Sequence, residues 1–261
     1  MEAKRSFNVN KLNVSVFPTR DLMGKACARE AGEIIRSLLA EKEYVSIIFA
    51  SAPSQMEMLN ALINEKGIEW DRVKAFHMDE YIGLPADAPQ SFGNYLKIRL
   101  FTKLPFKSVF YMDGNAPDIE GECERYSKLL RDNPPDISFL GIGENGHIAF
   151  NDPHIADFED PLPVKINSHL DFTCRQQQVN DVWFKSLEDV PSQAITITIT
   201  GLMKAQYIFT TVPGKTKQNI IKKCIEGPIS IECPATIIRT HDKSRLFLDD
   251  DSAALLDFSV L

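Results

Sequence analysis

The sequence has no block of basic residues, no run of eighteen apolar residues, no CxxC pair and no internal repeat. Each absence removes a class of function. The 29 Lys and Arg residues are outnumbered by 36 Asp and Glu, and they are scattered rather than gathered into a stripe. A nucleic-acid face needs such a stripe to neutralise phosphates, so nucleic acid is not the expected partner. A small anionic ligand stays open, because one or two well-placed cations hold a phosphate even on a protein of net charge −7. Without a long apolar run, no membrane-spanning segment is expected. The five cysteines, Cys27, Cys123, Cys174, Cys224 and Cys233, are odd in number. They support neither a disulfide framework nor a zinc site. Reduced thiols in a cytoplasm are the simpler reading. The opening stretch MEAKRSFNVNKLNVSVF lacks the apolar core of a signal peptide.

The chain is 44% hydrophobic and 25% charged, which predicts a substantial core rather than disorder. No Pro/Gly/Ser linker interrupts it, so residues 1–261 are expected to form a single domain. Short apolar runs alternate with helix-like segments. KLNVSVF reads as an opening strand, and DLMGKACAREAGEIIRSLLAEK as a helix with Ala28, Ala31, Ile35, Leu38 and Leu39 near one face. VSIIFA, VKAFHM, DISFLGIG, ITITIT and AQYIFTTV read as strands. MEMLNALINEKG (closed by Gly67), SFGNYLKIRLFTKL, ECERYSKLLRDN and KTKQNIIKKCIEG read as helices. This alternation predicts an α/β fold, a single doubly wound, mostly parallel sheet flanked by helices in the Rossmann-like manner.

Such sheets bind ligands at the carboxyl ends of their strands. Four loops qualify by position: SAPSQ, DEYIGLP, GENGHIAFNDP and PGKTK. In GIGENGHIAFNDP, Gly141, Gly143 and Gly146 are expected to permit positive φ and close approach to a ligand. His147 titrates near neutral pH and suits acid–base work. A histidine in a turn is often structural, but one in a Gly-rich loop after a buried strand favours chemistry. In HMDEYIGLP, Asp79 and Glu80 should point to opposite sides of an extended chain. A buried carboxylate there would suit a base acting alpha to a carbonyl. On this motif alone, a solvated acidic turn is equally compatible. Lys215 and Lys217 lie near a helix start, where cations do not help the helix dipole but would serve a bound phosphate. Surface lysines are common, so that reading also stays open.

Together these loops resemble the glucosamine-6-phosphate deaminase/isomerase family, whose relatives include the 6-phosphogluconolactonases. MDEYIGLP with QSFGNYL after it, and GIGENGHIAFNDP, carry the resemblance, which runs from VSIIFA to PATIIRTH. The lactonases share the GxGxxGH core but usually lack the following AFN(D/E)P. The resemblance implies an amino-sugar phosphate deaminase/isomerase with no metal or organic cofactor. Its substrate would be glucosamine 6-phosphate or a close relative such as galactosamine 6-phosphate. His147 would assist ring opening, and Asp79 would move a proton between C2 and C1. The implied phosphate and substrate contacts are Ser51, Ala52, Ser54, Glu80, Gly146, Lys217 and, as the nearest arginine, Arg175. A lactonase-like hydrolase and a non-catalytic sugar-phosphate sensor are the competing expectations. The family often forms homo-oligomers, and no residue here marks such an interface.

Three positions depart from the family pattern. Asn145 stands where an aspartate precedes the histidine, Asp152 replaces a glutamate, and Ala52 and Pro53 occupy a usually glycine-rich loop. An aspartate at 145 would orient and charge-stabilise the imidazole, as the third member of a triad does. Glu144 and Asp152 are the carboxylates that could take its place, and the expectation is that Asp152 pairs with His147.

Overall fold

The computed structural model describes residues 2–259. Two strands open the chain, β1 (Arg5–Val9) and β2 (Leu12–Phe17), followed by α1 (Arg20–Glu41), β3 (Val45–Phe49) and α2 (Met56–Ile63). Next come β4 (Val73–His77), β5 (Asp79–Tyr81), α3 (Phe92–Leu96), β6 (Ser108–Phe110), α4 (Ile119–Asp132) and β7 (Ile137–Leu140). The remainder is β8 (Val164–Asn167), α5 (Phe172–Asn180), β9 (Ala194–Ile197), α6 (Ile199–Met203), β10 (Tyr207–Val212), α7 (Gln218–Glu226) and β11 (Ser244–Asp249).

Eight strands form the main sheet in the order β1-β2-β11-β10-β7-β3-β4-β6. Every neighbouring pair is parallel except β1 with β2. From β3 the chain winds outward to β4 and β6, then returns to β7 on the other side and winds outward through β10 and β11. The winding therefore reverses between β3 and β7, the place where open α/β sheets leave a crevice at their carboxyl ends.

The central strands are buried on both faces, and alternation divides their side chains between two cores. Val45, Ile47 and Phe49 of β3 pack with α1, α2 and α3, while Ile48 packs with α4, α7 and β9 on the other face. Phe17, Phe247, Phe209, Phe139 and Phe49 come one each from β2, β11, β10, β7 and β3. They make a continuous row with ring centroids 5.4 to 6.3 Å apart. Helix α1 begins where the side chain of Thr19 accepts a hydrogen bond from the Leu22 amide at 3.3 Å, an N-cap that fixes Arg20 in the first turn. Among the described residues no helix is long and apolar enough to cross a membrane.

The mostly parallel doubly wound sheet is as expected, with several local corrections. ITITIT does not extend the main sheet. Its strand β9 lies between β5 and β8 in a separate antiparallel sheet of three strands. The strict Ile/Thr alternation was the signal: Ile195 and Ile197 enter the core, whereas Thr196 uses its hydroxyl to accept the Phe150 amide at 3.0 Å. Strands β1, β5, β6, β8 and β11 and helices α5 and α6 are not among the elements expected from sequence, and Ile199 and Thr200, expected in a strand, open α6. The helix expected over SFGNYLKIRLFTKL is α3, which widens into a π-helical turn at Lys97–Phe101. Helix α2 ends at Ile63, before Gly67.

Candidate active site

Four loops at the carboxyl ends of β3, β4, β7 and β10 surround a cavity of about 340 Å³. Of the residues singled out from sequence, Ser51, Ala52, Ser54, Asp79, His147 and Lys217 line it. Lys215 lines it as well. Glu80, Glu144, Asn145, Gly146, Asp152 and Arg175 do not.

Asp79 opens β5, paired opposite Thr196. It is only 7% exposed. Burial, and then the neighbouring charge of Glu80, push its carboxyl well above the usual carboxylate range. Glu80 turns away from the cavity, as adjacent residues on a strand do. Its carboxylate accepts hydrogen bonds from the Ser91 hydroxyl and the Gly93 amide at 2.7 and 2.9 Å, and from the Tyr81 and Phe92 amides at 2.9 and 3.1 Å. Those bonds hold β5 to the start of α3, so Glu80 is a scaffold residue beside the cavity rather than a substrate contact.

His147 sits in a network centred on Asn145. The Asn145 side-chain oxygen accepts from Nδ1 of His147 at 2.7 Å and from the His147 backbone amide at 3.0 Å. The Asn145 Nδ2 group donates to Oδ1 of Asp152 at 2.9 Å and to Oδ1 of Asp171 at 3.2 Å. The amide has no other workable orientation: a backbone N–H needs an acceptor, and two carboxylates need a donor. Because the Asn oxygen only accepts, Nδ1 of His147 carries the proton and Nε2 keeps a free lone pair. Burial lowers the His147 pKa; Asp152 and Asp171 oppose that and Lys217 adds to it, with a net shift downward. The ring is therefore neutral at neutral pH.

The expected pairing of Asp152 with His147 is present at ion-pair distance, while the hydrogen bonds between them run through Asn145. Their nearest atoms are 3.5 Å apart, and Asn145 lies between them in the hydrogen-bond chain. Asp152 is fully buried and also accepts from Nδ2 of Asn167 at 3.1 Å and the Asp171 amide at 3.0 Å. The glycines need correction. Of the three in this motif only Gly146 has positive φ, at 89°. Gly143 is required for a different reason: a Cβ there would lie 2.1 Å from Cε1 of His147. The Glu144 amide donates to Oε1 of Gln177 at 3.0 Å, which ties this loop to α5.

The other half of the cavity is cationic and rich in hydroxyls. The loop after β3 is pinned by Gln55, whose Nε2 donates to the carbonyls of Leu140 and Thr211 at 3.3 Å each. The Ser51 hydroxyl is buried and has no hydrogen-bond partner. Lys217 is 7% exposed, and its Nζ donates to Oε1 of Gln177 at 3.3 Å. Burial lowers its pKa, against the charges of Glu144 and Asp181.

Arg175 is misplaced as a phosphate ligand. Its guanidinium donates to the carbonyls of Leu187 and Val190 at 2.6 and 2.9 Å, bracing the segment after α5. Arg20 lines the cavity instead. Its Nε lies 2.7 Å from Oε1 of Glu57, and its Nη2 donates to the Pro53 carbonyl at 3.2 Å, so the side chain is held against the serine loop. Sequence reading missed Arg20 because it belongs to no motif and precedes the first of them by thirty residues. Gln177, Gln178, Asp181 and Trp183 were missed in the same way, as part of the unexpected α5 region.

Donor atoms of His147, Asp152 and Cys174 lie within 4.8 Å of one another, a spacing open to a metal ion. However, Nδ1 of His147 and Oδ1 of Asp152 are both engaged by Asn145, so this donor set is built as a hydrogen-bond chain.

Residues 18–247 match the family described as glucosamine-6-phosphate isomerases/6-phosphogluconolactonase. A glucosamine-6-phosphate deaminase from Listeria innocua is 36% identical, over 88% of this chain and 96% of its own length. One from Bacillus cereus is 32% identical over 94% of this chain and 89% of its own. Among solved structures, a monomeric glucosamine-6-phosphate deaminase superposes with a TM-score of 0.84 at 29% identity, covering 93% of this chain and 99% of that one. The 6-phosphogluconolactonase of Thermotoga maritima shares the fold at 21% identity and a TM-score of 0.72, covering 91% of this chain and 98% of that one. The chain belongs to the glucosamine-6-phosphate isomerase/6-phosphogluconolactonase family.

Proposed function

We propose that this protein converts glucosamine 6-phosphate, or a close amino-sugar relative, into a ketose 6-phosphate and ammonia. The observation that carries the reading is the presence in one cavity of buried Asp79, part-buried His147, Lys217 and the unpartnered hydroxyl of Ser51. Neutral His147, with Nε2 free, exchanges a proton with the ring oxygen as the sugar opens. Asp79 then removes the C2 proton and delivers it to C1, while a proton leaving the C2 ammonium passes to O1, so that C1 becomes a hydroxymethyl group and C2 a protonated ketimine. Water adds to that carbon and ammonia departs, so one water is consumed for each ammonia released. Its raised pKa suits Asp79 to both taking and returning the proton.

Phosphate is held by Ser51, Ser54, Lys217 and Arg20, in place of Arg175. A hydrogen bond to a charged group contributes about 1.5–3 kcal/mol. Lys217→Ala is therefore expected to raise KM by roughly 10–100-fold. Steady-state kinetics on the phosphorylated sugar check this, and an unchanged KM removes Lys217 from the phosphate site.

A lactonase would have no use for a proton shuttle at Asp79, and a sensor would not turn over. Incubation with glucosamine 6-phosphate, galactosamine 6-phosphate and 6-phosphogluconolactone, following ammonia and acid, separates the three. Ammonia from either amino sugar supports the proposal. Acid from the lactone alone, or binding without turnover, overturns it.

A further inference from the structure

We propose that Asp171 is a positioning residue for His147, acting through Asn145 and supplying from one residue further out the charge that an aspartate at 145 would carry. The inference rests on the reading of His147 as an acid–base group and adds a residue to it.

Asp171 lies outside every motif. It is the N-cap of α5, and its Oδ1 accepts from the Thr173 amide at 2.8 Å. The same oxygen accepts from Nδ2 of Asn145 at 3.2 Å, and the Asp171 amide donates to Oδ2 of Asp152 at 3.0 Å. Burial works against its charge, but the bonds from Thr173 and Asn145 outweigh it and hold the carboxyl below its ordinary value. Two carboxylates thus converge on one amide, whose opposite end holds the histidine.

This arrangement explains why residue 145 must be amphoteric here. Only an amide can donate to Asp152 and Asp171 while accepting from His147. An aspartate would bring a third carboxylate to about the positions now held by donated protons, and neighbouring carboxylates resist ionising together.

Three measurements test the proposal. The first uses the unaltered protein: 15N-detected NMR of the His147 ring should show the proton on Nδ1. A proton on Nε2 instead would overturn it. This readout needs no substrate, so it stands even if the assigned reaction fails.

The second is Asp171→Asn. Asparagine is as good an N-cap as aspartate, so helix α5 keeps its start and the melting temperature should hold. The charge is lost, and kcat should fall about 10–100-fold, the usual cost of removing an outer partner, with KM little changed. The His147 ring faces Asp152, Asp171, Lys217 and Cys174. Removing one anion from that set should make the ring titrate at lower pH. Unchanged kcat together with an unchanged titration overturns the proposal.

The third is the double variant. Asn145→Asp alone should also depress kcat, and adding Asp171→Asn should then improve it by removing one of three crowded carboxylates. The effect of Asp171→Asn thus reverses sign with residue 145. If it is neutral in both backgrounds, Asp171 is only a helix cap, and if it is harmful in both, its charge does not act through Asn145; either result overturns the proposal.

Discussion

Asp79→Asn should reduce kcat by about 10²–10⁴, the range that a positioned acid–base group contributes. The amide keeps the size and shape of the carboxylate, so β5 and the cavity should persist. The same substitution carries a stability signature of opposite sign. Burial and Glu80 raise the Asp79 pKa in the folded state. A raised carboxyl contributes stability below its unfolded pKa and loses it as pH climbs through the folded value. Once the pH exceeds that folded value, the wild type carries a buried charge that the asparagine variant lacks. Thermal melts should show Asp79→Asn at least as stable as wild type, with its advantage growing as pH rises. A variant that is both inactive and unstable would mean that Asp79 is a structural residue. The pH profile follows from the same shift. The proton shuttle needs ionised Asp79, so kcat/KM should fall as the pH is lowered, through a midpoint above the ordinary carboxylate range.

Gly143→Ala should be nearly as damaging, for a steric reason that leaves the backbone alone. Gly143 does not have positive φ, so alanine fits its conformation. The added methyl, however, would meet Cε1 of His147 at 2.1 Å and both ring nitrogens at 2.3 Å. The ring must swing away, breaking the 2.7 Å bond from Nδ1 to Asn145. A loss of about 10²–10⁴ in kcat is expected, because a misplaced general acid–base group contributes little. The fold should survive, since the displaced atoms belong to a side chain at the cavity wall. Circular dichroism and a melt, set beside the kinetics, check this. Wild-type activity in Gly143→Ala would show that His147 need not occupy its observed position.

The parts of the site legible in the sequence were those set by local rules. Strand–loop alternation placed the four loops at one end of the sheet, and the period of an extended chain put Asp79 and Glu80 on opposite sides. The identity of each neighbour was not legible, because it depends on elements distant in sequence. Arg20 reaches the cavity from the first turn of α1 and is aimed by Glu57 from α2. Arg175 looked available, but it does not line the cavity, and its Nη2 is turned to two carbonyls of its own segment. Asn145 read as a missing charge. It is a bridge from His147 to Asp152 and to Asp171, which lies twenty-six residues later.

The fold shows the same division. Continuous apolar runs such as VSIIF marked the buried central strands, while the alternation in ITITIT marked a strand of another sheet. Strand β11 was overlooked although it pairs with both β10 and β2. Its segment, SRLFLD, mixes charge with apolar residues because Arg245 reaches a partner on α1, Glu30.

On the proposed reading, Asp79 and His147 act on one amino sugar in one cavity. The most direct test follows ammonia and fructose 6-phosphate together from glucosamine 6-phosphate, with wild type and Asp79→Asn side by side. Wild type should yield equal amounts of the two products, and the variant almost none. No ammonia from wild type, with 6-phosphogluconolactone hydrolysed equally well by both proteins, would contradict it.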